Sequence, residues 1–508
     1  MTWPRINTGN WFVSLPVLAW VIFAIVIWQP LLWPTFSATI MNDGDTPLYT
    51  SYALNLAQCP LAVSRGLMMN AIGPDCQSAF AGNPINYYLD HPPGMAWLLS
   101  PFVSRSEEPI LAARWFTIMA SLAMVLLCAA IAARARSPKC AIGVLLSSLL
   151  VPVFWWHAVS INLNHTALLF SVATVGAFLE QQRSGSRAWL VVSLLAFAAG
   201  CFVDWPAFFI AAPIGLRLMI QKQWKVFAAY LTTGVAMLAL ILAMLSGNLH
   251  SANQPFIIQN FLIGSFTGQF QKAAHILPLD QALVMSLRNT WRSLSIAALF
   301  LLVALAPLFS GVARRWFSGL YFLVLCFLVQ GLLNQLLFIQ WSATHNYWNY
   351  YYLPAALITG GILFENLVQR LDKLMWPVTL VLAVLAVGLF ERQNLYWRND
   401  YAQPPQTTRE YLKAHGLENI LASQAILFSN DQELFYGQGF KTRLDFASSA
   451  RPLEQASDAQ CDNVYLVFKN STIDAAAKVR YSGGIVLDWY DWYVVPRNVL
   501  RTDCLSGK

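Results

Sequence analysis

Residues 112–139, AARWFTIMASLAMVLLCAAIAARARSPK, decide the class of this chain. From Ala112 to Ala133 the run holds a single charge, Arg114 at its entrance, and it then ends in Arg134, Arg136 and Lys139. A bilayer-spanning helix needs about 20 predominantly apolar residues, and Lys and Arg collect at its cytoplasmic end. The stretch therefore reads as one span with a basic stop. Working outward, the pattern recurs at 11–33, 140–157, 163–180, 188–203, 205–220, 226–245, 293–312, 317–339, 350–368 and 374–391, about eleven spans with the first. Composition agrees, with 57% hydrophobic and 11% charged residues and a mean hydropathy of +0.49 over 508 residues. Soluble domains carry about 25% charged residues, so a water-surrounded enzyme is excluded. The net charge of +7 sits between apolar runs, which speaks for membrane orientation and against a nucleic-acid partner.

Alternate loops differ in charge. One set holds Arg134, Arg136 and Lys139; Arg183 and Arg187; Lys222 and Lys225; Arg314 and Arg315; Arg370 and Lys373. The short loops of the other set, around 158–162, 204 and 340–349, hold no Lys or Arg. The amino terminus, with Arg5, is expected inside and the carboxy terminus outside. The first span is too long for a signal-peptide core and is kept as an anchor. Segments 34–111, 246–292 and 392–508 then fall outside. The last has ordinary polarity: TTREYLKAHGL reads as a helix, and QAILFS, NVYLVF and GGIVLDWYDWYVV read as strands. The expected fold class is an all-α polytopic membrane protein, residues 1–391, with a small outer α/β domain, residues 392–508. Cys59 and Cys76 share the first outer segment, and Cys461 and Cys504 share the last; each couple is a disulfide candidate in an oxidising compartment, with free thiols as the alternative. No cysteine shows zinc-ligand spacing.

The outer segments gather ionisable groups at one depth. Asp43 and Asp45 follow the first span, and Tyr49 lies in a short amphipathic helix in which Leu48, Tyr52 and Leu56 share a face suited to the interface. Asp90 and His91 lie in INYYLDHPPGMAWLL, residues 85–99, and Arg114 stands at the mouth of the second span. His157, Asn162, Asn164 and His165 flank the third and fourth spans, and Asp204 ends the fifth. Lys272, His275, Arg288 and Arg292 lie in the 246–292 segment, and His345 precedes the tenth span. Ionised groups at membrane depth cost about 2.5–3.5 kcal/mol on insertion scales, so their convergence marks a candidate site. Bland roles stand beside this one. Asp45 suits a helix N-cap before Pro47, in which case Asp43 is the base; Asp90-His91-Pro92-Pro93 suits a helix start; Arg114 suits snorkelling; Asp204 suits either a cation partner or a substrate contact.

Asp45-Thr-Pro-Leu-Tyr49, then Asp90-His91-Pro92-Pro93, then Arg114, then His345 with NYWNYYYLPAAL resemble, in that order, the polyprenyl-phosphate-sugar-dependent glycosyltransferases of the C-type fold. That family includes protein O-mannosyltransferases and bacterial aminoarabinose transferases. The resemblance runs over residues 11–391 and leaves the outer domain unmatched. Some relatives carry a second acid where this chain has Asn164 and His165, and a basic residue where it has Leu48.

The resemblance implies transfer of a sugar from a polyprenyl-phosphate donor to a lipid, glycan or protein acceptor at the outer face. Departure of a phosphate with a second pKa near 6 needs no strong acid. A base for the acceptor hydroxyl, Asp45 or Asp43, and donors for the phosphate, His91 and Arg114 with His345, Arg288 and Arg292, complete the set. Tyr49, Asp90, Asp204, Asn164 and His165 are the expected substrate contacts. One carboxylate base with attack opposite the leaving group predicts inversion. The sequence requires no cofactor, and a divalent cation between Asp45, Asp204 and phosphate stays open. The expected setting is a bacterial inner membrane with the carboxy-terminal domain in the periplasm. Rival readings are a lipid-linked glycan polymerase or ligase, and a transporter or lipid flippase; the gathering of charges at one face argues against the last.

Overall fold

The computed structural model describes residues 45–72, 76–78, 86–87, 91–106, 109–158, 161, 163–246, 277–309 and 319–371, single positions 381, 384 and 388, and the segments 413–416, 426–429, 443–445, 464–469, 484–487 and 492–495. Among these, five helices are long and apolar enough to cross a membrane: Leu111–Ala135, Leu163–Ser184, Trp224–Leu245, Gly319–Leu337 and Tyr347–Arg370. Shorter apolar helices lie at Gly94–Val103, Pro138–Leu149, Arg187–Val203 and Trp205–Ile220. The expected span 11–33 lies outside the described residues, as does nearly all of 374–391.

Three expected spans are interrupted, each for a local reason. The run 140–157 divides into Pro138–Leu149 and Pro152–Ala158, because Pro152 offers no N–H and disfavours helical geometry just before it. The run 205–220 opens as a 3-10 turn, Trp205–Ile210, behind Pro206. The run 293–312 yields to Ser295, whose φ of 52° ends the Leu279–Leu294 helix before Ala298–Phe309 begins. The 246–292 segment thus ends in a helix rather than in loop.

The helices share one apolar interior containing Phe154, Trp155, Phe178, Phe197, Phe322 and Phe327. Outward faces are apolar too, as on Trp224–Ser246, where Leu231 and Val235 are exposed. A helix apolar all round suits lipid on its far side. Pro138–Leu149 and Leu353–Leu371 meet closely through Gly143, Gly360 and Gly361, as small residues allow between membrane helices. At the same end Arg136 and Ser137 bond Glu365, and Arg134 bonds Glu180 at 2.6 Å. Arg114 lies about 30 Å along the helix from Arg134, at 1.5 Å per residue, so the basic end and the candidate site are a hydrocarbon thickness apart.

The Asp45–Gln58 helix departs from expectation. Tyr49, Tyr52 and Ala53 are buried in the shared interior, against the Gly94–Val103 helix, so the helix does not simply lie on the interface. A disulfide joins Cys59, just past its end, to Cys76, with Cα atoms 5.6 Å apart. Beside it a small antiparallel sheet pairs Met69–Ile72 with Gln77–Ser78 and with Asn86–Tyr87, which the sequence did not announce. Cys461 and Cys504 lie outside the described residues.

In the carboxy-terminal part a five-stranded sheet runs in the order Arg443–Asp445, Ile426–Ser429, Val464–Lys469, Trp492–Val495, Ile485–Leu487. The first three strands are parallel and the last two form an antiparallel pair. QAILFS, NVYLVF and GGIVLDWYDWYVV contribute four of the five strands. Of TTREYLKAHGL only residues 413–416 are described.

Candidate active site

The site is assembled where the end of the Arg187–Val203 helix meets the chain entering Gly94–Val103. Gly94 makes this meeting close, since a Cβ there would lie 2.3 Å from the Phe202 carbonyl oxygen. His91, three residues earlier, thereby reaches Asp204, with Nδ1 3.0 Å from Oδ1. Asp204 also caps the 3-10 turn after it, accepting from the Trp205 N–H at 2.9 Å. Its second oxygen accepts from the Tyr351 hydroxyl at 2.6 Å. Asp204 is fully buried, while the His91 side chain is 14% exposed. A carboxylate offers only acceptors, so the three groups around it all donate and Nδ1 of His91 carries a proton.

Tyr351 belongs to the 3-10 turn Asn346–Tyr352, and irregular backbone at this depth needs its carbonyls satisfied from within the protein. Side-chain amides do this: Asn164 donates to the Tyr347 carbonyl and Asn334 to the Trp348 carbonyl, each at 2.7 Å. Asn289 donates to the carbonyls of Ser342 and Ala343. Behind them, Ser286, Ser342, Asn349, Gln335 and Tyr352 form one buried hydrogen-bonded chain. Gln330 adds a bond to the Pro206 carbonyl, tying the two 3-10 turns to one helix. A buried hydrogen-bonded network of this kind restrains its members, although Oε1 of Gln330 and Oδ1 of Asn334 accept no hydrogen bond.

Other expected residues are placed as follows. Asp45 is the first residue of the Asp45–Gln58 helix, which packs against both Gly94–Val103 and the Arg114-bearing Pro109–Ala135 helix. Asp43 and Asp90 lie outside the described residues, as do Asn162, Lys272 and His275. Arg114 is buried, 4% exposed, one turn inside its helix. The elements bearing Asp45, His91, Arg114 and Asp204 therefore converge.

The remaining candidates make contacts of other kinds. His165 is fully buried, its ring stacked on Phe154 at 4.5 Å and its Nδ1 2.6 Å from Ser121 Oγ. Ser121 donates to the Thr117 carbonyl, so it accepts from His165 and leaves Nε2 as the unprotonated nitrogen. Asn164 serves the backbone of the tyrosine-rich turn. His345 is bonded to Thr344 Oγ1 at 2.8 Å, and burial pulls its pKa below the ordinary histidine value against a bond at the Trp341 backbone. A neutral imidazole at neutral pH is a weak phosphate holder. Arg288 and Arg292 lie on the exposed side of the Leu279–Leu294 helix, whose buried stripe is Ala282, Ser286, Asn289 and Ser293. Among the described residues, no group of three or more His, Cys, Asp and Glu side chains is placed to hold a metal ion.

Tyr351 was not singled out in the sequence, nor was the amide network; the available signal was NYWNYYY itself, seven polar and aromatic residues inside an otherwise apolar stretch.

This architecture is the fold of the C-type glycosyltransferases, a class of multi-pass membrane proteins. The family model for dolichyl-phosphate-mannose-protein mannosyltransferase matches residues 90–246, from the His91 loop to the end of the Trp224–Ser246 helix. ArnT from Cupriavidus metallidurans superposes in the apo state with a TM-score of 0.60 at 13% identity, covering 95% of this chain and 98% of that one. The same protein bound to undecaprenyl phosphate gives 0.58 at 13% identity, over 95% and 98%. The oligosaccharyltransferase AglB from Archaeoglobus fulgidus, in complex with an inhibitory peptide and a dolichol-phosphate, gives 0.52 at 10% identity, over 96% of this chain and 75% of that one. No curated protein matches the chain by sequence.

Proposed function

We propose that the protein is a membrane glycosyltransferase that moves a sugar from a polyprenyl-phosphate donor to an acceptor at the outer face. The observation that carries this reading is the junction at Asp204. It joins the His91 loop to a span end and to the tyrosine-rich turn, beside the helices of Asp45 and Arg114, in a fold whose solved examples include complexes with undecaprenyl phosphate and dolichol-phosphate. Asp45 takes the proton of the acceptor hydroxyl. The acceptor oxygen forms the new bond to the anomeric carbon as the bond to phosphate oxygen breaks, and the lipid phosphate leaves with the electron pair. Attack opposite the leaving group inverts the anomeric centre. His91 and Arg114 carry the positive charge that holds the departing phosphate. A divalent cation would be held by Asp45 and Asp204 and would supply positive charge at the phosphate; both Asp204 oxygens accept hydrogen bonds within the protein. The outer domain orients the acceptor, in a bacterial inner membrane with that domain in the periplasm.

The test is transfer from a panel of radiolabelled polyprenyl-phosphate sugars in membranes, comparing wild type with Asp45→Asn. Transfer that the substitution abolishes, with the protein still inserted, supports the reading. Unchanged transfer by Asp45→Asn moves the base to Asp43, and no transfer by wild type from any donor removes the reading itself.

A further inference from the structure

A charged side chain that the proposed function does not use lies near the basic end of the spans. Arg217, in the helix Ala211–Ile220, is 4% exposed. Its guanidinium rests on Phe178, two residues from the Glu180 that bonds Arg134, so it lies near the depth of that ion pair. We infer that Arg217 is a binding site for one phosphate group, carried by an anionic phospholipid of the leaflet at that end.

Three observations carry the inference. The first is the state of the guanidinium. Its central carbon stands 4.5 Å from the centroid of the Phe322 ring and 5.6 Å from that of Phe178. Aromatic rings attract the charge and accept none of its in-plane hydrogen bonds. Nε and Nη1 are sealed inside the protein with no hydrogen-bond partner. Arginine offers only donors, set in a fork that fits two oxygens of a phosphate, so the partner these donors call for is an oxyanion.

Next, the protein does not provide that oxyanion. Among the described residues no carboxylate pairs with Arg217; Glu180 is held by Arg134 and Glu365 by Arg136. The adjoining turn adds positive charge instead, since Lys222 and Lys225 are exposed just past the end of the Arg217 helix. Snorkelling does not relieve the burial either. Helical side chains lean towards the amino-terminal end of their helix, which for Arg217 leads back into the bundle. A lone cation in an apolar interior is costly, and an anion brought from outside removes that cost.

Finally, a lipid can reach the place. Ile220 and Gln221, three and four residues on, share the Arg217 face of the helix and are exposed. That face therefore opens to the surroundings within one turn, about 5.4 Å. Leu216 and Met219 are exposed beside it, so acyl chains find apolar surface where the two lysines draw an anionic headgroup. Free phosphate has no such anchor and would have to leave water for an apolar border.

The experiment melts the full-length protein in nanodiscs of phosphatidylcholine alone, of phosphatidylcholine with phosphatidylglycerol, and of phosphatidylcholine with inorganic phosphate in the buffer. Wild type melts on the order of 2–4 °C higher with phosphatidylglycerol, and Arg217→Met shows no such response. In phosphatidylcholine alone Arg217→Met melts no lower than wild type, because an apolar side chain replaces an uncompensated buried charge. Lys222→Gln/Lys225→Gln keeps the response to phosphatidylglycerol. Native mass spectrometry of wild type taken from the mixed bilayer shows phosphatidylglycerol retained over phosphatidylcholine by about tenfold. If Arg217→Met melts below wild type by the same margin in all three preparations, Arg217 serves only its ring contacts and the inference is overturned. A phosphatidylglycerol response that persists in Arg217→Met overturns it as well. Inorganic phosphate that matches phosphatidylglycerol removes the lipid as the source. Equal retention of the two lipids by wild type overturns the inference even where Arg217→Met fails to insert. None of these readouts uses sugar transfer, so the inference stands or falls apart from the proposed function.

Discussion

Gly94→Ala is the substitution through which the site geometry is most sharply tested. An alanine Cβ at this position would stand 2.3 Å from the Phe202 carbonyl oxygen, 2.5 Å from its carbonyl carbon and 2.9 Å from its ring, where real Cβ contacts are essentially never under 3.0 Å. The nearest obstacles are backbone, which cannot rotate aside, so the two segments must part by at least about 0.7 Å. His91 sits three residues from Gly94 and Asp204 two residues from Phe202, so much of that displacement falls on their 3.0 Å contact. Carried through in full, it takes the pair to about 3.7 Å, beyond hydrogen-bonding distance. A bond to a charged group contributes about 1.5–3 kcal/mol, which places the expected loss in kcat/KM at about 10- to 100-fold. Overpacking adds about 1–3 kcal/mol of destabilisation, visible as a lowered melting temperature. The assay is initial-rate donor transfer at low donor concentration in proteoliposomes, with a thermal melt on the same preparation. Gly234→Ala serves as control, because its Cβ would meet only the Phe197 ring at 3.5 Å, an ordinary contact. If Gly94→Ala transfers within about twofold of wild type and melts unchanged, the close approach does not set the His91–Asp204 contact and the reasoning fails.

Two further predictions concern stability. Gly361→Ala places a Cβ 2.6 Å from the Cys140 carbonyl oxygen and 2.7 Å from Val144 Cγ2, so it should lower the melting temperature by an amount matching about 1–3 kcal/mol, while Gly234→Ala leaves it near wild type; equal melts for the two would refute the close helix contact. Partial burial holds the His345 pKa below the usual histidine value, so below about pH 6.5 the unfolded chain takes up its proton first and stability falls as pH drops towards the lowered folded value. His345→Gln should flatten that part of the profile of melting temperature against pH, and an unchanged slope between wild type and variant would count against it.

How much of this was legible in the chain depends on how far each feature reaches along it. Spans were readable because about 20 residues of hydropathy are a local property, and the basic ends of Leu111–Ala135 and Leu163–Ser184 lie within a few residues of the helices they terminate. The break at Pro152 was equally local, yet a continuous apolar run masked it. Cys59 and Cys76 could be coupled because they lie only seventeen positions apart within one segment between spans. Hydropathy carries no signal for which helix lies beside which, and that lateral order is what places Tyr351 on Asp204 across a separation of 147 residues.

The same limit explains how neighbouring polar residues at one depth came to do different work. Asn164 and His165 are adjacent, and both read as substrate contacts, but successive helical positions point about 100° apart. Asn164 reaches a turn carbonyl, while His165 turns towards Ser121 and Phe154 in the interior. Depth in the membrane follows from position along a span, whereas the face a residue presents follows from the packing of its helix. Polar groups gathered at one end of the spans therefore mark a candidate region without showing which of them meet. What separates His91 and Asp204 from the rest is that one glycine lets their two segments touch.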